Sequence, residues 1–274
     1  MDTAAIARLG IDDLAACLDL AADRGWPRDH RKWTFLLTNG EAYGLHDRED
    51  LVGSAILSRF GPRLAWIGMV LVAQRCDRRG LGGALMRHAL DAADARTVAL
   101  HATESGVPLY RRLGFRATGT IFTHRGRFAG HGARSGRTRP FTGADLDAVR
   151  RLDAEATGAD RGRLLTGYVR FAGQMRVIES GGVITGYAGS WRDGETVVIG
   201  PVIAASDRDA QDLIADIAST VDGYVRLDVH RCDLTEWAAA RGLPRWLEAT
   251  EMVRGEDMPG DRARLYTPIM QALG

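Results

Sequence analysis

Residues Asp77, Arg78, Arg79, Gly80, Leu81, Gly82, Gly83 and Ala84 place three glycines and two arginines where an apolar run gives way to an amphipathic helix. The first N–H groups of a helix have no partner within it and lie at the positive end of its dipole, so they bind phosphate. Glycines let such a turn curl tightly and let the anion approach the backbone. Taken alone, Gly-x-Gly is equally the pattern of a plain tight turn. It is not the dinucleotide fingerprint, because Leu85 stands where a third glycine is required, and no Gly-Lys-Ser/Thr follows to make a P-loop. A second segment, from Leu109 through Tyr110 to Gly114 and Phe115, puts a phenol on a short helix closed by glycine. A phenol, with a pKa of about 10, is protonated at neutral pH and can act as a proton donor. The alternative is a packed aromatic whose hydroxyl is satisfied.

The surrounding pattern supplies elements to hold these groups. Leu14, Cys17, Leu18 and Ala21 recur at helical spacing and predict a helix over 12–24, stopped by Gly25. Ala42–Leu45 and Leu51–Leu57 read as paired strands joined by the polar turn 46–50, and Leu64–Val72 as a longer strand in which Gly68 marks a bulge or a close backbone approach. A helix from Leu81 to about Ala95, a strand over Thr97–Ala102 and a short helix over Val107–Leu113 follow. After a stretch rich in arginine and glycine (125–139), the same order returns. Gly186–Gly189 echo Gly53–Ile56, Ile199–Val202 echo Ile67–Val70, Tyr224–Val229 match Thr97–Ala102, and Trp237 falls where Tyr110 falls. This predicts an internal duplication, with units over 1–128 and 140–274 and a linker over 129–139. The linker arginines either reach a phosphorylated ligand or are simply solvated.

Composition narrows the class. The 274 residues are 45% apolar and 26% charged, with a net charge of +1, which argues against a general nucleic-acid or membrane binder. No run approaches the ~18 apolar residues a membrane span needs, and the first residues lack a signal-peptide pattern. Cys17, Cys76 and Cys232 are too scattered for a disulfide framework or a zinc site, so a cytoplasmic protein without metal is expected.

A strand ending Val70-Leu71-Val72, the glycine turn, a helix, a strand and Leu-Tyr-x-x-x-Gly-Phe, in this order, resemble the GNAT superfamily of acyl-CoA-dependent N-acetyltransferases over about Leu14–Phe122. The chain also resembles that superfamily's two-domain members. The resemblance implies a mixed α/β (α+β) protein with two tandem folds, each a mostly antiparallel twisted sheet flanked by helices. It implies acetyl-CoA as co-substrate, with the pyrophosphate on 77–84 and the pantetheine arm laid along Val70, Leu71 and Val72 like an added strand. Thr103, where relatives often have Asn, and Leu109 would complete the cofactor site, and Tyr110 would protonate the thiolate. Asp77 departs from the family's Arg or Gln; a carboxylate facing a pyrophosphate would repel it, so it must turn away or pair with Arg75, Arg78 or Arg79. Trp26 falls where the family builds its acceptor wall. Glu104 and His101, near the end of a strand, and His30 and Glu41 are candidates for the acceptor side, each also explicable as a structural or surface residue.

In the second half, 204–210 has no glycine and carries Asp207 and Asp209, so no coenzyme A binding is expected there. Asp160, Arg161, Asp228 and His230 read as ion pairs or as acceptor contacts. The leading reading is transfer of acetyl to a small-molecule amine in a ternary complex, by a monomer or homodimer. The rivals are a non-catalytic acyl-CoA-binding or regulatory protein and a nucleotide-binding α/β protein.

Overall fold

The computed structural model describes residues 5–130, 134–230 and 232–274. The first half runs β1 (Ile6–Leu9), α1 (Leu14–Asp23), α2 (His30–Asn39), β2 (Glu41–Asp47), β3 (Asp50–Phe60), β4 (Leu64–Val72), α3 (Leu81–Ala93), β5 (Thr97–Ala102), α4 (Val107–Arg112) and β6 (Arg116–Gly126). The second repeats it as β7 (Thr138–Pro140), α5 (Leu146–Thr157), α6 (Gly162–Phe171), β8 (Gln174–Ser180), β9 (Val183–Asp193), β10 (Thr196–Ala204), α7 (Asp207–Ala218), β11 (Tyr224–Val229), α8 (Cys232–Ala240) and β12 (Arg245–Gly255). A short β13 (Leu265–Thr267) has no counterpart in the first half. The duplication read from the sequence is therefore present element for element.

The strands form one sheet in the order β1-β2-β3-β4-β5-β12-β6-β11-β10-β9-β8-β7, with β13 on β10. The halves exchange strands: β12 lies antiparallel between β5 and β6, and β6 lies antiparallel between β12 and β11. Each half thus covers the edge that the other would expose. Helices join the halves as well. Phe35 of α2 stacks on Phe171 of α6 with ring centroids 4.3 Å apart, and one hydrophobic cluster includes residues from both halves.

Both halves carry the same bulge. On β4 the register with β3 jumps from Ile56↔Gly68 to Ser54↔Leu71; on β10 the register with β9 jumps from Ile199↔Ser190 to Val202↔Ala188. Met69 takes φ 51° within the first bulge, and the buried Ser54 hydroxyl donates to its carbonyl at 2.9 Å. Gly68 meets both readings of its glycine. It sits in the bulge, and a Cβ there would lie 2.5 Å from the Ala272 carbonyl oxygen. Beyond the bulges, the central parallel pairs part. β4 pairs with β5 only over Leu64–Trp66, and β10 with β11 only over Thr196–Ile199.

The expected boundaries shift in physically simple ways. The 46–50 turn shrinks to Arg48 and Glu49 because Asp47 and Asp50 pair, and Arg48 takes φ 58° to close it. The stretch 125–139 is no free linker where it is described. Arg125 and Gly126 end β6, Arg137 bonds Asp209 and Asp212, and Arg139 bonds Asp145 and Glu179. His131, Gly132 and Ala133 lie outside the described residues, as does the side chain of Cys232. Cys17 and Cys76 are free, buried thiols, and burial together with Asp13 pushes Cys17 up to about 12, which keeps it protonated.

Candidate active site

The glycine turn forms as its sequence demands. Arg78 and Gly80 adopt φ of 60° and 80°, so the chain curls through two left-handed residues before α3 begins at Leu81. Gly80 needs to be glycine for this conformation alone, since a Cβ there would meet nothing within 4 Å. Gly82 and Gly83 pack against Leu109, which lies 3.5–3.6 Å from a Cβ position on each, and Gly82 also packs against Val72; these are ordinary contacts that would admit a Cβ. Hence Leu109 supports the turn from below, alongside Val72. No side chain caps α3, so its first N–H groups remain available to an anion. Arg78 makes no ion pair with a described residue, whereas Arg79 lies 4.0 Å from Asp47 and Arg75 bonds Asp50 at 2.7 Å.

Asp77 is neutralised by an ion pair. Its partner is Arg24 at the end of α1, with Nη1 3.2 Å from both carboxylate oxygens. The sequence suggested Arg75, Arg78 or Arg79 instead. Arg24 lies 53 positions away, and only the docking of α1 on this turn, also seen in the Gln74–Asp23 bond of 2.6 Å, brings the two together.

Beside the turn, Val70, Leu71 and Val72 lie beyond the point where β5 parts from β4, and Val70 and Val72 are half-buried. Tyr110 lies on α4, which packs on the turn through Leu109, begins with Pro108 in its first turn and is followed by Gly114 at φ 86°. The ring packs edge-on to Phe115 at 6.0 Å and against Gly106. The side chain is buried, yet its hydroxyl makes no hydrogen bond to any described residue. Burial pushes its pKa up to about 12, so the phenol is neutral at pH 7 and able to donate. Thr103 and Glu104 are exposed at the end of β5; the Thr103 hydroxyl meets Ser105, and its carbonyl accepts from Gly106 and Val107 to start α4.

The remaining candidates separate. Glu41 is engaged by Arg8, Arg59 and Tyr43; burial alone would raise its pKa, but these partners hold it below the ordinary value. His30 is exposed on a groove between α2 and α6. Arg161 is bonded to Asp153, both fully buried, and it also donates to the Gly274 carbonyl. Asp228 accepts from Arg226, Thr123 and Gln271.

His101 belongs to a buried cluster that the sequence did not disclose. Its Nδ1 lies 3.1 Å from the Gln271 carbonyl, and Glu251 of β12 comes within 3.7 Å of both His101 Nε2 and His230 Nδ1. Arg262 bonds the same Glu251 oxygen at 2.6 Å. Burial would raise Glu251, but His101, Arg262 and His230 bring it down to about 2, while burial, His101 and Arg262 push His230 down to about 3. These three residues are the metal-ligand grouping found among the described residues, and Arg262 already neutralises its carboxylate. No local pattern could reveal Glu251, since it arrives on the exchanged strand.

The second half differs at the matching parting of the sheet and at the matching helix start. β13 pairs with β10 at Val202↔Thr267 and Ile203↔Leu265, and the Tyr266 carbonyl accepts from His230 N–H at the end of β11. The gap between β10 and β11 is thus filled by the chain itself. Ser206 caps α7 by accepting from Asp209 N–H, and Tyr266 donates to Asp207. Trp237 packs against Phe128 and Arg241.

Comparison with known proteins agrees with this architecture. Residues 11–115 match the acetyltransferase (GNAT) family and residues 149–267 match an acetyltransferase (GNAT) domain. The chain is 25% identical, over 97% of both lengths, to the uncharacterized N-acetyltransferase YitH of Bacillus subtilis (strain 168). Among solved structures, a candidate acetyltransferase from Pyrococcus horikoshii superposes with a TM-score of 0.83 at 18% identity, covering 98% of this chain and 95% of that one. A tandem GNAT protein from the clavulanic acid biosynthesis pathway gives 0.66 at 15% identity, covering 92% and 98%. The chain belongs to the GNAT acetyltransferase family, in its tandem form, and is an acyltransferase. Among the described residues no helix is long and apolar enough to cross a membrane.

Proposed function

We propose that the first half transfers acetyl from acetyl-CoA to the amine of a small molecule, by direct attack within a ternary complex. The observation that carries this reading is the contrast at the two partings of the sheet. Between β10 and β11 the chain supplies its own strand. Beside β4 the same position adjoins an uncapped helix start and, through Leu109, the helix α4 that carries the unpartnered phenol of Tyr110. The pantetheine arm would lie along Val70–Val72, as β13 lies along β10, and the pyrophosphate would rest on 77–84. A backbone N–H at the bulge would polarise the thioester carbonyl as charge builds on it. Tyr110, neutral at working pH, would then protonate the thiolate as the amine displaces it. Trp26, in the loop between α1 and α2, is 39% exposed and free to meet the acceptor.

The rival reading of a non-catalytic acyl-CoA sensor drew on Asp77, and Arg24 removes that objection by neutralising the carboxylate. Thermal shift with acetyl-CoA and with NAD, followed by thiol release across a panel of amines, tests the proposal. Stabilisation by acetyl-CoA with turnover of at least one amine is expected. Stabilisation by NAD alone, or acetyl-CoA binding with no turnover on any amine, would overturn it.

A further inference from the structure

Lys32 is the only lysine in the chain. It sits in the first turn of α2, where Asp29 caps the helix by accepting from its N–H at 2.9 Å. The side chain runs into the space between the halves. Its Nζ lies 5.8 Å from the ring centre of Trp26, in the first half, and 6.0 Å from that of Trp191, on β9 of the second. Nζ makes no hydrogen bond or ion pair with any described residue.

The carboxylates near it are only partly engaged elsewhere. Arg226 grips Asp228 with two bonds, at 3.1 and 2.9 Å, and reaches Asp193 at 3.7 Å. Asp29 Oδ1 is spent on the α2 cap, while its Oδ2 is buried and has no hydrogen-bond partner. These four groups set the field at Lys32, the aspartates favouring its charge and Arg226 opposing it, while burial is the largest influence and lowers its pKa. Lys32 is half-buried, and a partly desolvated ammonium with no counter-ion in contact gains from a ligand that supplies one. A second vacancy lies alongside: Asp193 Oδ1 is buried and accepts no hydrogen bond. The space therefore offers one unpartnered cation, two carboxylate oxygens without hydrogen-bond partners (Asp29 Oδ2 and Asp193 Oδ1) and two indole faces, contributed by both halves.

Its placement ties it to the reaction. Trp26 belongs to the loop that follows α1, whose end packs on the 74–77 turn. Asp228 accepts from the Gln271 amide at 3.0 Å, and the carbonyl of Gln271 meets His101 on β5. The neighbouring Ala272 lies on Gly68 in the β4 bulge.

We infer that this inter-half space binds the acceptor and that the acceptor is an aminocarboxylate, its acid group on Lys32 between Trp26 and Trp191. This rests on the transferase reading above. Asp193 Oδ1 would take a donor of the same molecule, and the second half would serve as the acceptor's wall.

The solitary lysine gives a readout that does not depend on turnover. Full-length protein is treated with trinitrobenzenesulfonate, and Lys32 modification is followed by peptide-resolved mass spectrometry. The probes are the common amino acids, each compared with its carboxamide, with the reagent in large excess over the probe so that the probe's own amine does not deplete it. At least one amino acid is expected to slow modification of Lys32 five-fold or more, with its amide without effect. In thiol-release assays that acid should show a KM raised at least ten-fold by Lys32→Gln, less by Lys32→Arg, with the KM for acetyl-CoA unchanged. Protection by no amino acid, or equal protection by acid and amide, would overturn the assignment. Protection without acetyl transfer would uphold the acid-binding site and reject the transferase reading. Turnover of a neutral amine with unchanged KM in Lys32→Gln would do the reverse.

Discussion

The two partings of the central sheet began as copies of one another and now differ in occupancy. Both carry a bulge, and both sit beside a helix start. At β4 the helix start is left uncapped by a glycine turn. At β10, Ser206 caps the helix, Tyr266 bonds Asp207, and β13 occupies the strand position. The difference teaches that a ligand cradle is a set of backbone groups left unmet. Where the chain satisfies these groups itself, the same position is closed.

The most damaging way to break this contrast is to loosen the tail that does the filling. Arg161 donates to Gly274 and neutralises the fully buried Asp153, so Arg161→Met leaves a buried carboxylate unpaired at a cost of about 3–5 kcal/mol. Denaturant unfolding should show that loss; a change below about 1 kcal/mol would mean the pair contributes little. Next in size is the chemistry. Tyr110→Phe should lower kcat at least ~100-fold while acetyl-CoA still binds, and Trp237→Phe, at the matching position, should leave kcat unchanged. Equal turnover by wild type and Tyr110→Phe would remove the phenol as proton donor.

A smaller effect sharpens the comparison at the turns. Gly80→Val places a branched residue at φ 80°, a strain of about 1–2 kcal/mol, so acetyl-CoA should bind roughly ten-fold more weakly. Ser206→Ala removes the α7 cap and should cost about 1 kcal/mol of stability with no change in acetyl-CoA affinity. Titration calorimetry on both variants decides it; a loss of affinity in Ser206→Ala would mean the second turn also holds the donor.

The buried cluster at the junction predicts an acid response. His230 is held neutral down to about pH 3, whereas in the unfolded chain it takes a proton near pH 6.5. Below pH ~6.5 the unfolded state therefore binds more protons, and stability falls as pH drops toward 3. Glu251, at about 2 against an ordinary value of about 4.3, adds a further loss between those values. Thermal melts should show Tm declining from pH 6.5, with a shallower decline in His230→Gln. Identical pH profiles would place the sensitivity elsewhere.

Much of this was legible in the sequence because it is local. Three glycines before a helix, a phenol before Gly-Phe and the echoed pairs at 67–70 and 199–202 each declare a conformation within a few residues. What escaped was set by distant packing. β6 and β12 carry mostly exposed residues along their first halves and so lack a strand's alternation. Their exchange between halves has no sequence signature. Arg24 for Asp77, Glu251 for His101 and the seating of β13 all depend on where separate elements dock. Lys32 was visible as a solitary lysine, but only the fold shows that no partner reaches it.

The central claim is that one parting of the sheet takes the donor and the other is closed by the chain. Titration calorimetry of the wild-type protein with acetyl-CoA tests it directly. The account predicts one molecule bound per chain, with affinity reduced by Gly80→Val. Two molecules per chain, or one whose affinity is unmoved by Gly80→Val, would contradict it.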